Sequence, residues 1–376
     1  MESKTIYLDA AAGERCYPEV IDTIAKILEN HWGNASSDNS MGVDARQIIS
    51  DVSQYISSDI NCNTNEIIWT SGACESNSLA IKGYLLANNF DVDFITSTIE
   101  HTSIEEIKKK ITNAITIPVD NRGKIILKQL EATLKKAKPH SIVSIAFANS
   151  EIGTIQDIKV ISSLVHKYNC ILHTDATQYY PWFSVDVDYC GIDMMSVSGQ
   201  KLGAPRGIGF LYIRSGIKIE PLISGSQQDG IRGGTQSTHL IAAFGKALEI
   251  TRNFCNDKIV LYREYIIKKL KELDGITING SVHHKLPNNI SATINGVNAD
   301  KLVALCDVLG VVLAKGSACK SYSPEPSTTL LNVGLSKEQA LSTIRISISR
   351  GLAYGDVVFA TDVIIKMIEQ IRQTNS

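Results

Sequence analysis

The sequence lacks the features of membrane-spanning and secreted proteins. No apolar run in its 376 residues approaches the roughly 20 residues that a membrane-spanning helix needs. The N-terminus, MESKTIYLDAAAGERC, is charged early and has no apolar core of a signal peptide. The net charge is only −2, so no broad field that attracts nucleic acid or a membrane surface is expected. We therefore expect a cytoplasmic protein whose cysteines are reduced thiols.

The sequence also lacks the spacings typical of metal sites. Its eight cysteines form no CxxC pair, and none lies at zinc-finger spacing from a histidine. His283 and His284 are adjacent, but their surroundings favour a solvated loop. We expect no metal site in the chain itself, so any metal would come with a partner. Cys170 and Cys306 lie in apolar strand or helix contexts, which predicts that both are core residues.

Strand-like and helix-like segments alternate from about residue 65 to 215. Apolar strands separated by amphipathic helices predict an α/β fold with a mostly parallel sheet that is covered on both faces. After about residue 255, a long charged helix leads into fewer strands mixed with helices, which predicts a smaller α+β domain. We assign 18–255 to the large domain, and 1–17 with 256–376 to the small one. The run SYSPEPSTTLLN, 321–332, is interpreted as an extended polar loop.

The motif TSGACESN places a glycine turn between a predicted strand and a predicted helix. Backbone N–H groups of Gly72, Ala73 and Cys74 would lie at the helix N-terminus, where they can bind a phosphate. Taken alone, an ordinary glycine turn is the better interpretation. Its position nevertheless makes the turn a candidate ligand site, because ligands bind at the carboxyl ends of parallel strands.

Three further strand ends carry polar residues. His101 ends IEHTS and could stack on a flat aromatic ligand. Asp175 ends HTDATQ, where a buried carboxylate needs a cationic partner such as a protonated pyridine nitrogen. Lys201 follows in SGQK, between a polar run and a glycine-rich one. Any one of these residues alone is more often structural than catalytic. A stacking ring, a carboxylate and an amine together with a phosphate site are, however, the groups that bind pyridoxal phosphate.

The chain resembles the cysteine desulfurases of the class V aminotransferase group, which are fold-type I pyridoxal-phosphate enzymes. The shared motifs run over nearly the whole chain in the family's order: YLDAAA, GNASS, TSGACESN, EHTS, ANSEIGTIQDI, HTDATQ, SGQKLGAPRGIG, GIRGGT, GSAC and TIRISISR. The resemblance implies a mostly parallel, seven-stranded sheet in the large domain. It also implies a homodimer that converts L-cysteine to L-alanine and keeps the sulfur as a persulfide.

The resemblance assigns roles to individual residues. Lys201 would bind the cofactor through a Schiff base and then act on the substrate α-proton. Asp175 would pair with the ring nitrogen, and His101 would stack on the ring and donate a proton nearby. The remaining contacts would come from Gln178 at the phenolic oxygen, from Ala73, Cys74, Ser198 and Gln200 at the phosphate, from Asn149, and from Thr235 of a neighbouring subunit. The substrate would be held by Asn34, Asn149 and Arg345, and an arginine fork suits its carboxylate.

Cys319, in AKGSACKSYSPEPS, matches the family's nucleophile, which takes the sulfur from the substrate. Small neighbours, the adjacent Lys320 and the lack of apolar periodicity favour an exposed loop over a core position. The spacing from Cys319 to EPS resembles the long-loop branch of the family, which usually hands sulfur directly to a partner protein. The acceptor pathway stays open among iron–sulfur assembly, tRNA thiolation and sulfur modification of DNA. No direct contact with nucleic acid or membrane is expected.

Four positions depart from the family's usual pattern. Cys74 replaces a threonine, Gln200 replaces the histidine before the lysine, Asn39 replaces a histidine after GNxSS, and Asp229 stands where an arginine is usual. These positions surround the phosphate and the edge of the site. They predict changed cofactor affinity and partner choice rather than a changed reaction.

Two other functions stay open on the sequence alone. A related class V lyase or aminotransferase would use Lys201 without Cys319, and replacement of Cys319 by serine would separate it from a desulfurase. A non-enzymatic scaffold would bind the cofactor and dock on a sulfur-transfer complex. The residues do not distinguish cysteine from selenocysteine as the substrate.

Overall fold

The structure is a computed structural model that describes residues 5–316 and 325–375. Cys319 and its neighbours therefore lie outside the described residues. The strands are β1 (Ile6–Tyr7), β2 (Ile67–Thr70), β3 (Phe94–Ser97), β4 (Ala114–Ile117), β5 (Ile142–Ser144), β6 (Ile171–Asp175), β7 (Met194–Ser198), β8 (Gly209–Ile213), β9 (Ile276–Ile278), β10 (Asn289–Ile294), β11 (Val311–Val312) and β12 (Thr343–Ser347).

Helices alternate with the strands, as the periodicity predicts. They are α1 (Pro18–Asn30), α2 (Ser40–Ile60), α3 (Ala73–Ser78), α4 (Tyr84–Ala87), α5 (Thr102–Lys108), α6 (Leu127–Leu134), α7 (Ile158–Lys167), α8 (Val187–Cys190), α9 (Thr238–Arg252), α10 (Asp257–Leu270), α11 (Ala299–Val308), α12 (Thr328–Asn332), α13 (Lys337–Leu341) and α14 (Tyr354–Asn375). A π-helical turn, Leu79–Gly83, joins α3 to α4. Among the residues described, no helix is long and apolar enough to span a bilayer.

Strands β2 to β8 form one seven-stranded sheet in the order β2-β8-β7-β6-β5-β3-β4. Neighbours from β4 to β7 are parallel, whereas β8 runs antiparallel to both β7 and β2. The predicted α/β fold with a mostly parallel, seven-stranded sheet is confirmed. Because β2 to β7 all point the same way, their carboxyl ends meet at one edge, where a ligand site is expected.

Apolar side chains cover both faces of this sheet. Trp69 of β2 packs into a cluster with residues of α2 and α9, whereas its neighbour Ile68 packs into a second cluster with the π-helical turn, α4 and α5. Phe210 and Leu211 of β8 divide between the same two clusters. Successive side chains of a strand point to opposite faces, so continuous apolar runs are what a doubly covered sheet requires.

A second, antiparallel sheet of three strands has the order β12-β10-β9. Its apolar cluster draws on α10, α11 and α14 and includes the fully buried Cys306. Strand β1 pairs in parallel with β11, and Ile6 and Leu8 join this cluster. The smaller α+β part is therefore present as predicted, and Cys170 is buried in the larger part. The domain boundaries after residues 17 and 255 stay predictions.

The C-terminal part corrects one sequence prediction. The run 321–332 was expected to be a loop throughout, but Thr328–Asn332 forms the helix α12. The Ser327 hydroxyl caps it by accepting a hydrogen bond from the Leu330 N–H at 3.4 Å. Serine is a favoured residue at helix N-caps, so the polar composition that suggested a loop marks a helix start.

Candidate active site

A cavity of about 330 Å³ opens at the carboxyl edge of the seven-stranded sheet. Residues that follow β2, β3, β5, β6 and β7 line it, so most of its walls come from strand ends. The three-stranded sheet adds Arg345, and the N-terminal segment adds Ala11 and Ala12. The cavity brings together ten residues that the sequence singled out: Ala73, Cys74, His101, Asn149, Asp175, Gln178, Ser198, Gln200, Lys201 and Arg345.

Lys201 ends the short 3₁₀ turn that follows β7. Its Nζ donates a hydrogen bond to the Ala12 carbonyl oxygen at 2.6 Å, and both residues line the cavity. The glycine at position 199 is required for steric reasons, because a Cβ there would lie 2.9 Å from a methyl carbon of Ile208. Gly203, just after the turn, has a φ of +84°, which favours glycine. The sequence around the lysine therefore shapes a tight turn that presents one amine.

Asp175 is almost buried at the end of β6, with 6% of its surface exposed. Its carboxylate accepts hydrogen bonds from Asn77 Nδ2 at 2.8 Å and from the Thr177 N–H at 3.0 Å. Sequence reasoning did not single out Asn77, although it lies within TSGACESN. Its position four residues after Ala73 places it on the same face of the helix, which is the signal that could have found it.

His101 caps α5 and is linked to Asp175 through two side chains. Its Nδ1 accepts a hydrogen bond from the Ser103 N–H at 3.1 Å and lies 2.8 Å from Ser103 Oγ. Asn77 Nδ2 donates to Ser103 Oγ at 3.0 Å as well as to Asp175. Because Nδ1 accepts from the backbone, a neutral His101 ring carries its proton on Nε2.

The N-terminus of α3 forms one end of the cavity. The first N–H groups of a helix have no acceptor within the helix, so those of Ala73 and Cys74 suit an anion. Gly209 lets this turn approach β8, because a Cβ there would lie 2.8 Å from Gly72 Cα. Ser198 lies close by, since a Cβ built on Gly72 would be 3.8 Å from its hydroxyl oxygen.

Glu75 places a carboxylate beside this turn. Arg232 pairs with it, donating from Nε at 2.7 Å and from Nη2 at 3.2 Å, and the Ser71 N–H donates at 2.7 Å. Burial alone raises the pKa of Glu75, but the hydrogen bonds from Arg232 and Ser71 lower it overall. Glu75 is therefore an ionised carboxylate whose charge Arg232 balances.

Arg345 and Asn149 also line the cavity. The Arg345 guanidinium is 2% exposed and donates from Nη2 to Asp9 Oδ1 at 2.6 Å. Its Nε has no hydrogen-bond partner among the described residues, which leaves a donor for a substrate carboxylate. Asn149 donates to the Ile99 carbonyl at 2.9 Å and accepts from the Glu151 N–H at 2.9 Å, so its amide also fixes the local turn.

Glu100 is a further buried carboxyl group that sequence reasoning missed. It lines the cavity, and it accepts hydrogen bonds from Ser97 Oγ at 2.5 Å and from the Ala146 N–H at 3.0 Å. Burial raises the pKa of Glu100 to about 7, and the nearby charge of Asp175 acts in the same direction. The group therefore titrates near neutral pH.

The residues of this cavity fit pyridoxal phosphate. A helix N-terminus with Ser198 suits its phosphate, the Asp175 carboxylate suits its ring nitrogen, and the Lys201 amine lies at the same cavity. The Thr177 hydroxyl lines the cavity and is buried, yet it has no hydrogen-bond partner among residues 5–316 and 325–375. An unpartnered buried hydroxyl at this place is expected where a polar ligand binds.

Two predicted site residues do not line this cavity. Asn34 and Thr235 are exposed, and the Asn34 side chain accepts a hydrogen bond from the Ser36 N–H at 2.9 Å. The predicted place of Thr235 is the site of a neighbouring subunit, so exposure in its own chain agrees with that role. The roles of both residues stay predictions.

The structure accounts locally for two of the departures from the family pattern. Asn39 caps α2, where its side chain accepts a hydrogen bond from the Gly42 N–H at 3.0 Å. Asp229 is exposed and has a φ of +55°, a conformation that aspartate tolerates better than most residues. In the part of the chain that the structure describes, no group of three or more histidine, cysteine or acidic residues could hold a metal.

Comparisons with known proteins identify the family of this chain. The chain matches the family Aminotransferase class-V over residues 6–357. The cysteine desulfurase IscS of Dictyoglomus turgidum is 35% identical over 98% of this chain and 96% of its own length. A solved NifS-like protein from Rickettsia africae is 30% identical, with a TM-score of 0.89, 98% of this chain covered and 99% of that one. A solved SspA in complex with cysteine is 29% identical, with a TM-score of 0.82 and coverage of 92% and 99%. The chain therefore belongs to the class V aminotransferase family and, within it, to the cysteine desulfurases.

Proposed function

We propose that this cysteine desulfurase removes sulfur from L-cysteine, releases L-alanine and retains the sulfur as a persulfide on Cys319. The observation that carries the proposal is the single cavity that holds Lys201, Asp175 and His101 beside Arg345. Pyridoxal phosphate is the cofactor of this family. When bound, it supplies an electron-withdrawing ring that accepts the electron pair released at the substrate α-carbon.

The cavity residues would share the task of holding the cofactor. Lys201 would attach it covalently, and Asp175 would face the ring nitrogen. Asn77 and the Thr177 N–H orient the Asp175 carboxylate, because both donate to it. The other contacts would come from Gln178 at the phenolic oxygen and from Ala73, Cys74, Ser198 and Gln200 at the phosphate.

Proton transfer would involve Lys201 and His101. The Lys201 amine, once free of the cofactor, would take the α-proton of the substrate. His101 would donate a proton from Nε2, because its Nδ1 is occupied by the Ser103 N–H. The link from Ser103 through Asn77 to Asp175 holds the imidazole in that orientation.

Arg345 would bind the substrate carboxylate, with Asn149 and Asn34 as further contacts. Asp9 orients the guanidinium and balances its charge while Nε stays available. The Cys319 thiolate would form an S–S bond to the substrate sulfur as the C–S bond breaks. L-cysteine and an enzyme thiol become L-alanine and an enzyme persulfide, so no outside oxidant or reductant is needed.

We further propose a homodimer that passes its sulfur to an acceptor protein. The exposure of Thr235 beyond its own cavity supports a contribution to the site of a second copy. The relative solved in complex with cysteine supports cysteine as the substrate. Iron–sulfur assembly, tRNA thiolation and sulfur modification of DNA are all compatible destinations for the sulfur.

Mass spectrometry of the holoenzyme after incubation with L-cysteine tests the proposal. We expect one added sulfur atom on the peptide that contains Cys319 and L-alanine in equal amount. The Cys319→Ser variant should keep its bound cofactor but form neither product, whereas Cys255→Ser, at an exposed thiol outside the cavity, should behave as wild type. Continued alanine formation by Cys319→Ser would instead support a lyase that does not use this thiol.

A further inference from the structure

A tight turn, residues 149–152, joins the cavity to the C-terminal part of the chain. Asn149 Oδ1 accepts hydrogen bonds from the Glu151 and Ile152 N–H groups at 2.9 and 3.0 Å. Arg345 Nη1 and Asn289 Nδ2 both donate to the Ser150 carbonyl oxygen, at 3.4 and 3.2 Å respectively. The turn is therefore fixed from the cavity side and from the three-stranded sheet.

Glu151 extends from this turn toward Gly316 and Ser327, which lie before and after 317–324. Its carboxylate is buried, with 7% of the residue exposed, and Oε2 accepts a hydrogen bond from Ser327 Oγ at 2.5 Å. On the other flank, a Cβ built on Gly316 would lie 3.3 Å from the same Oε2. One carboxylate oxygen thus bonds to Ser327 after the stretch that contains Cys319 and lies close to Gly316 before it.

Other contacts hold the same two flanks. Lys315 forms an ion pair with Asp300 of α11, immediately before Gly316. Ser327 caps α12, so the residue that binds Glu151 also starts a helix. Gly316 has a φ of +52°, a conformation that disfavours a side chain where the backbone approaches Glu151. The chain is therefore held by specific contacts both before and after 317–324.

We propose that Glu151 is a positioning residue for sulfur transfer, because it holds the described residues on both sides of the Cys319 segment, Gly316 and Ser327. The inference rests on the proposed role of Cys319. The ends of a short segment limit the positions that its middle can reach, so fixing them raises the effective concentration of the thiol at the cavity. Glu151 acts through Ser327 and Gly316 and does not need to touch the substrate.

Single-turnover sulfur uptake by the holoenzyme tests this role. We expect Glu151→Ala to slow persulfide formation on Cys319 about tenfold and Ser327→Ala to slow it about threefold. The double variant should match Glu151→Ala, because the contact is already lost in the single variant. Glu151→Gln should recover most of the rate, since its amide oxygen can still accept from Ser327. Bound cofactor should stay at the wild-type level in all four variants.

Limited trypsin digestion adds a readout that needs no activity. Cleavage after Lys320 should be several times faster in Glu151→Ala and in Ser327→Ala than in wild type. Asp193→Asn, which alters a buried carboxylate outside the cavity, controls for a general loss of stability and should leave this cleavage unchanged.

Two results would overturn the inference. Wild-type sulfur uptake and wild-type trypsin cleavage in Glu151→Ala would show that the carboxylate positions nothing. Equal slowing by Glu151→Ala and Glu151→Gln, with equal loss of cofactor, would show a merely structural role. If wild type itself adds no sulfur at Cys319, the proposed function fails, and trypsin cleavage alone then decides whether Glu151 fixes the segment.

Discussion

The two sheets contribute to the cavity in different ways. The seven-stranded sheet presents His101, Asp175 and Lys201 within a few residues of buried strand ends, so each is placed locally. The three-stranded sheet presents Arg345 from within β12, opposite Ser291 of β10, and its guanidinium is fixed by an aspartate 336 positions away. The groups proposed to hold the cofactor thus lie at one sheet, and the group proposed to bind the substrate carboxylate lies on the other.

This contrast predicts that substitutions at the large sheet affect the cofactor most. Lys201→Ala should lose covalent attachment and lower kcat by more than about 10³-fold, because both the tether and the proposed base are removed. The exposed Lys128→Ala, on α6, is the matched control and should behave as wild type. Visible absorbance of the purified protein and alanine release measure the two effects, and a coloured, active Lys201→Ala protein would contradict the assignment.

Glu100 shows how strongly the large sheet perturbs a buried group. Its pKa is about 7 in the folded protein against an ordinary 4.5, so the folded state keeps a proton that the unfolded state has lost. Stability from this group is complete below pH 4.5 and is lost as pH rises through 7. We expect the free energy of unfolding of wild type, relative to Glu100→Gln, to fall by about 3 kcal/mol over that range.

Urea unfolding of both proteins at several pH values measures this difference. The expected curves converge or cross as pH rises, with the glutamine variant gaining relative to wild type. Parallel curves from pH 4.5 to 8 would show that burial does not raise the pKa of Glu100.

Substitutions at the small sheet should alter substrate binding and spare the cofactor. Arg345→Lys loses the guanidinium fork and should raise KM about 30-fold, equivalent to about 2 kcal/mol, with unchanged absorbance of the cofactor. Asp9→Asn removes only the partner that orients Arg345, so we expect a smaller rise of about threefold. Steady-state kinetics separate KM from kcat. Loss of the cofactor in Arg345→Lys would contradict the proposed division, in which the small sheet serves the substrate and not the cofactor.

The smallest of the effects expected at the large sheet is at Asn77, which links two of its groups. Asn77→Ala removes one hydrogen bond to Asp175 and one to Ser103, at a cost of about 1 kcal/mol. We expect roughly fivefold weaker cofactor binding with KM for L-cysteine unchanged. Cofactor retention during dialysis measures the loss, and wild-type retention would show that Asp175 needs no help from Asn77.

Much of the fold and part of the site could be predicted from the sequence. Apolar runs and helical periodicity located the strands of the large sheet, and the polar residue after each run located Asp175, His101 and Lys201. Helix α12 was missed because Ser327 and its polar neighbours have the composition of a loop. Glu100 was missed because a buried polar side chain leaves no pattern that differs from an exposed one. Asn77 was missed although its spacing of four residues from Ala73 was a signal that could have found it.

The sequence by itself determined the elements and the strand-end residues, because hydrophobic periodicity and turn chemistry act over a few neighbouring positions. Only the tertiary structure decided which distant groups meet them. Lys201 contacts a backbone carbonyl 189 positions away, and Glu151 contacts Ser327 across 176. The sequence cannot show which backbone carbonyl will accept such a bond, because every residue has one, and only the packing of distant parts of the chain brings the partners together.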